Sequence, residues 1–222
     1  LFSITTNRAY LFSGGLSPAA APVREAHDGW TELWASDPAY IYAHYDAEWE
    51  LVRQRFATII GAEADEIAVV DSTSRASNLI VQMIDPPPGS NVVVDEFTYP
   101  SSLYPWMLPA KADVEVRHVS SRNNRIYLDD MARVIDERTI AVSISHVSPM
   151  TGFRHDVAVV AEMIHAHGGY LIVDAAQSAG ALSIDVRSMG IDFLATCAMK
   201  WLLGTPGVGF LYASRPLAER LG

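Results

Sequence analysis

Residues 171–180 read LIVDAAQSAG and residues 196–210 read TCAMKWLLGTPGVGF, and these two pieces decide the fold. In the first, Leu171, Ile172 and Val173 run straight into Asp174. An uninterrupted apolar run of that length predicts a buried parallel strand that carries an acid at its C-terminal end. In the second, a short strand over 193–196 leads into a glycine-bearing connection that holds Lys200 among apolar neighbours. An acid and an amine brought to the carboxyl ends of parallel strands sit where an α/β protein places its chemistry.

Working outward, the rest of the chain alternates strand and helix. Strands are predicted over 67–70, 91–94, 114–119, 140–145, 170–173, 193–196 and 208–212, with a further extended piece at 181–184. Helices are predicted over 23–33, 75–84, 101–107 and 157–166, and one within 126–135. A helix over 46–60 carries Trp49, Val52, Phe56 and Ile59 at spacings of three and four, with Asp46 as its cap and Gly61 as its stop. Short connections between alternating elements predict an α/β fold with a largely parallel sheet. Residues 1–22 read as a loop-rich entry segment and 23–222 as one large domain. Ser13-Gly14-Gly15 reads as a turn or as an active-site loop, because glycine also lets backbone approach a ligand. The aromatic stretch Tyr40 to Tyr45 has no clear period and suits a pocket wall or an interface.

Composition narrows the class. With 222 residues, half of them hydrophobic, the chain can bury a substantial core. A formal net charge of -10 argues against a nucleic-acid partner. No apolar run is long enough to span a bilayer, and no basic segment with an apolar core opens the chain. Cys197 is the single cysteine, which rules out an internal disulfide and points to a reducing, cytoplasmic setting. The chain opens on Leu1 and stops as residues 216–221 begin a helix, so it is expected to be part of a longer protein.

Asp174 at a strand end suits a partner for a protonated ring nitrogen, and Lys200 suits a Schiff-base amine. A capping carboxylate and a snorkelling lysine account for the same residues without chemistry. Gln177, one turn beyond Asp174, can donate to a ring oxygen. Asp71-Ser72-Thr73-Ser74 opens a helix after a strand, which suits an anion or a plain cap. Tyr99 or His146 can stack on a ring. Neither a GxxxxGK[ST] loop nor a GxGxxG fingerprint occurs, and the histidines form no metal set. A Cys197 nucleophile with His146 as base is formally open, against a packing or phosphate-side place for Cys197.

VDAAQSAG (173–180) followed by DFLATCAMKWLLGTPGVGFLY (192–212) resembles the class V aminotransferase family of fold-type I pyridoxal-phosphate enzymes. That family includes cysteine desulfurases, selenocysteine lyases, isopenicillin N epimerase-like proteins and kynureninases. EIAVVDSTSRASNLI (66–80), DEFTYPSSLYPW (95–106) and SISHVSPMTGFRHDV (143–157) resemble its phosphate, ring-stacking and sub-cofactor segments, in the family's order. The resemblance implies a three-layer large domain with a seven-stranded, mostly parallel sheet, and a small C-terminal domain that is absent or truncated here. It implies pyridoxal 5'-phosphate as cofactor, no metal, a small amino-acid substrate, and a homodimer with a shared active site.

Carried over by position, the resemblance makes Lys200 the aldimine lysine and proton carrier, Asp174 the partner of the pyridine nitrogen, and Gln177 the donor to the phenolic oxygen. Thr73 and Ser74 would bind phosphate, with Cys197 beside them. Tyr99 would stack on the ring, His146 would belong to the catalytic set, and Thr205 would reach the partner subunit's phosphate. The implied activity is transformation of an amino acid at Cα or Cβ, in the lyase or desulfurase manner. Transamination, epimerisation, a kynureninase-like hydrolysis and a non-catalytic role are the alternatives. The sequence departs from desulfurases at Met199, where they carry histidine, and at Pro149, where many carry asparagine. The arginine for the substrate carboxylate and any persulfide cysteine would lie in the C-terminal domain.

Overall fold

Apolar runs that alternate their side chains between two faces need cover on both sides, and the helices between them supply it. The computed structural model describes residues 1–108, 111 and 113–221. Its strands are β1 (Ile67–Val70), β2 (Asn91–Asp95), β3 (Glu115–Val119), β4 (Thr139–Ser145), β5 (Tyr170–Asp174), β6 (Phe193–Cys197) and β7 (Gly209–Ala213). Its α-helices are α1 (Ala21–Ser36), α2 (Pro38–Ile60), α3 (Thr73–Ile84), α4 (Pro100–Leu103), α5 (Leu128–Ala132), α6 (Val157–His165) and α7 (Arg215–Leu221).

The seven strands form one sheet in the order β1-β7-β6-β5-β4-β2-β3. From β6 across to β3 every neighbouring pair is parallel. Only β7 runs against its neighbours, antiparallel to both β1 and β6. The expected three-layer α/β arrangement is therefore what the chain forms. Alternation along the central strands divides the core. Val93, Leu171, Val173 and Leu194 pack with α2 and α6 on one face. Val92, Val94, Ile172 and Phe193 pack with α3 and Trp106 on the other. Phe56 of α2 stacks on Phe210 of β7 with ring centroids 4.0 Å apart, which fastens α2 to the antiparallel strand.

The start of α2 and residues 181–184 differ from expectation. α2 starts at Pro38, and its cap is Asp37, whose side chain accepts the Tyr40 N–H. The aromatic stretch is thus the first turns of a helix, and Tyr42 there is 88% exposed. Pro38 at the first helical position is pre-set for helix, which places the start before Asp46. Gly61 ends α2 in the left-handed conformation, φ 70°, as expected. Residues 181–184 form no strand; only an isolated bridge joins Ala179 and Leu182. The helix expected within 126–135 is α5. No helix of the described residues is long and apolar enough to cross a membrane.

Candidate active site

A cavity of about 720 Å³ opens at the carboxyl ends of the parallel strands. Its walls come from five places that the sheet order brings together. They are the turn before α3, the segment after β2, the β4–α6 connection, the end of β5, and the β6–β7 connection. Residues 11–15 close a further side.

Asp174 ends β5 and is buried at the cavity wall. Its Oδ1 accepts the Ala176 N–H at 2.9 Å, and its Oδ2 accepts the Ser102 hydroxyl at 3.2 Å. Burial pushes this carboxyl's pKa up, while the Ala176 N–H, the Lys200 charge and the Ser102 hydroxyl pull it back. A buried carboxylate with so little local compensation favours a cationic partner facing it.

Lys200 lies on the connection between two antiparallel neighbours, and that connection is tied off by backbone. The Ala198 N–H donates to Val208 O at 2.8 Å, and the Gly204 N–H donates back to Ala198 O at 2.9 Å. Gly180 packs against this turn. Its φ is +90°, and a Cβ there would lie 2.6 Å from Trp201 O, so only glycine fits without displacement. The Lys200 Nζ sits 5.6 Å from the Tyr99 ring centroid, within cation–π range.

Ser72, Thr73 and Ser74 line the cavity where α3 begins, with Cys197 facing them from the end of β6. The Ser72 hydroxyl accepts the Arg75 N–H at 3.1 Å. α3 can approach β6 and β7 closely here because Gly209 has no side chain. A Cβ on it would lie 2.7 Å from Thr196 O and 3.1 Å from the Ser72 backbone.

The N-terminal wall is held from the lysine turn. The Ser17 N–H donates to Met199 O at 2.9 Å, and the Ser17 hydroxyl donates to Lys200 O. The Gln177 amide nitrogen donates to Gly14 O at 2.8 Å, and the Trp201 indole N–H donates to the Gln177 amide oxygen at 3.0 Å.

Of the residues singled out from sequence, Thr73, Ser74, Tyr99, Asp174, Gln177, Cys197 and Lys200 all line this one cavity. Two do not. His146 follows Ser145, and the alternation of an extended chain turns its ring away from the cavity that Ser145 faces. It is buried with its Nδ1 unpartnered, and its pKa is lowered to about 4 by burial and by the Arg154 and His155 charges. Its neighbours Val147 and Ser148 reach the cavity instead. Thr205 stands beyond the tied-off lysine turn and lies outside the lining. Ser102, Ser17 and Trp201 were not singled out. Only Trp201 carried a signal, as the large aromatic directly after the lysine. Among the described residues no arginine lines the cavity, and no cluster of three or more acids, histidines or cysteines is placed to hold a metal.

These residues fit pyridoxal phosphate. The buried Asp174 matches a protonated ring nitrogen, the hydroxyl-rich start of α3 matches a phosphate, and Lys200 matches an aldehyde carbon. Two further hydroxyls of cavity-lining residues, on Ser101 and Ser145, have no hydrogen-bond partner among the described residues. Such groups are ordinarily satisfied, by protein, by water or by a bound ligand.

Fold and site together match the large domain of pyridoxal-phosphate enzymes of the aminotransferase type. The chain belongs to the class V aminotransferase family, whose model, Aminotransferase class-V, matches residues 9–222. It is 36% identical over 172 residues to an uncharacterized aminotransferase, YcbU, of Bacillus subtilis, covering 78% of this chain and 46% of that protein. It is 35% identical over 172 residues to a probable cysteine desulfurase of Methanothermobacter thermautotrophicus, covering 76% of this chain and 42% of that protein. Among solved structures, the apo cysteine desulfurase of Thermococcus onnurineus superposes with a TM-score of 0.85 at 25% identity, covering 98% of this chain and 56% of that one. The chain thus spans about half the length of the relatives it matches.

Proposed function

We propose that the protein transforms an amino acid at Cα or Cβ with pyridoxal phosphate, in the manner of a lyase or desulfurase. The observation that carries this is the meeting of Asp174, Gln177 and Lys200 in one cavity, with the Asp174 carboxyl buried. When bound, the cofactor supplies a conjugated ring that takes up electron density from a substrate's Cα. The chain's own groups do the rest. Asp174 holds the proton on the ring nitrogen and so keeps the ring electron-poor. Ser72, Thr73 and Ser74 hold the phosphate at the start of α3, with Cys197 beside them. Tyr99 covers a ring face. Gln177 donates to the phenolic oxygen. Lys200 would hold the cofactor through its aldehyde carbon and would carry a proton to or from a substrate's Cα.

Relatives named as cysteine desulfurases, with identities from 28% to 35%, support the lyase branch. Met199 and Pro149 on the cavity wall favour a second reading, transamination or epimerisation, because neither offers the polar group that desulfurases place there. A substrate carboxylate needs a cation other than Lys200, which on this reading comes from the rest of the protein or from a second copy. Trp30, Trp34, Tyr42 and Tyr45, exposed on α1 and α2, support a homodimer. The single cysteine supports a cytoplasmic setting.

The deciding test uses the full-length protein given pyridoxal phosphate. A visible absorbance band that borohydride bleaches, and that Lys200→Ala abolishes, is expected. No band in the unmodified protein overturns the proposal. Amino acids are then screened for sulfide, pyruvate, alanine and racemised product, and a requirement for a keto-acid acceptor marks transamination.

A further inference from the structure

The Gln177 side chain is held at both ends by groups that have no choice of role. The Trp201 indole N–H is a donor only, and the Gly14 carbonyl is an acceptor only. The first lies 3.0 Å from Gln177 Oε1 and the second 2.8 Å from Gln177 Nε2. Turning the amide over would set an NH₂ against an N–H and an oxygen against an oxygen, so both bonds would be lost together. In the orientation they enforce, one amide N–H is taken by Gly14 and the other has no partner among the described residues. Because Gln177 lines the cavity, that second N–H is what the side chain offers a ligand.

We propose that Trp201 is a positioning residue: through Gln177 it fixes the cavity's polar group at this point as a donor, and so selects a ligand oxygen that accepts. This rests on the cofactor reading above, in which that oxygen is the phenolic oxygen of pyridoxal phosphate. Two features strengthen the point. Pro149, also on the wall, has no N–H and no polar side chain, so it supplies no alternative donor. Gly14 leaves the amide only just enough room, since a Cβ there would come within 3.3 Å of Gln177 Oε1. Trp201 also directly follows Lys200, so one turn carries both the amine and the group that aims the donor.

The test titrates the visible band of the full-length, cofactor-loaded protein against pH and measures its cofactor affinity. Trp201→Phe keeps an aromatic ring and removes the N–H. It is expected to weaken cofactor binding by about three- to tenfold, the worth of one neutral hydrogen bond. It should raise the titration midpoint by about half a unit to one unit, because a donor to the ring oxygen favours the deprotonated state. Gly14→Ala, which crowds the same amide from the opposite side, should move the midpoint the same way and serves if Trp201→Phe folds poorly. In a Gln177→Leu background Trp201→Phe should add nothing. An unchanged midpoint and affinity in Trp201→Phe overturns the proposal. An equal effect of Trp201→Phe in both backgrounds also overturns it, since Trp201 would then act by packing. Absence of any band in the unmodified protein is a different failure, that of the cofactor reading itself.

Discussion

His155 Nε2 lies 3.0 Å from Asp95 Oδ2, and both side chains are almost wholly buried. Asp95 ends β2, and its other oxygen accepts the Phe97 N–H at 2.7 Å. His155 precedes α6, and its backbone N–H donates to His146 O. The pair therefore pins the β4–α6 connection, which carries Val147, Ser148 and Pro149 to the cavity, against the end of β2. Removing one partner leaves a buried polar group alone. His155→Ala is expected to cost about 3–5 kcal/mol in urea unfolding. Asp95→Ala combined with it should cost clearly less than the sum of the two single changes. Additive costs would show that the two side chains are independent.

Asp174 is expected to trade stability for function. Burial raises its pKa in the folded chain, so its favourable contribution is complete only below the unfolded carboxyl range and is lost as pH rises through the folded value. At neutral pH the cofactor-free chain carries that cost. Asp174→Asn should raise the melting temperature of the cofactor-free protein while cutting turnover far more than bound cofactor. A lower melting temperature would mean that the carboxylate is better compensated than its contacts indicate.

His146 sets an acid limit. Its folded pKa of about 4 lies below the ordinary value of 6.5, so the unfolded chain binds the extra proton between those values. Stability is then complete above about pH 6.5, falls as pH drops towards 4, and levels off below it, by up to about 3 kcal/mol. Urea unfolding at pH 7.5 and pH 5 should show the loss, and His146→Asn should flatten that slope.

Gly180→Ala should disturb the lysine turn without touching a ligand. The new Cβ meets the Trp201 carbonyl, and the left-handed backbone adds strain of about 1–3 kcal/mol. Thermal unfolding should register the loss, and cofactor affinity should fall with it. A protein with normal affinity and stability would mean the turn shifts freely.

Much of this was legible in sequence because buried strands are short, unbroken and β-branched. β5 ends at Asp174, where the carboxylate closes an apolar run. The start of α2 was not legible by periodicity, because helical turns exposed on every side carry no apolar stripe. Asp37-Pro38 was the usable sign. Residues 181–184 have strand composition, yet among the described residues they pair only through the isolated Ala179–Leu182 bridge. In the site, residues close in sequence could be read together. Ser102 at Asp174 and Gly14 at Gln177 are separated by 72 and 163 positions, and no local pattern reports such pairings.

The bond from Ser17 to Lys200 spans 183 positions. During synthesis the first wall of the cavity therefore leaves the ribosome long before the turn it docks on. At about 5–20 residues per second the delay is roughly ten to forty seconds. Through that interval Ser17 lacks both of its partners on the lysine turn, the Met199 and Lys200 carbonyls. The cavity is finished only when the β6–β7 connection emerges, so cofactor capture cannot guide the folding of the strands and helices that precede it.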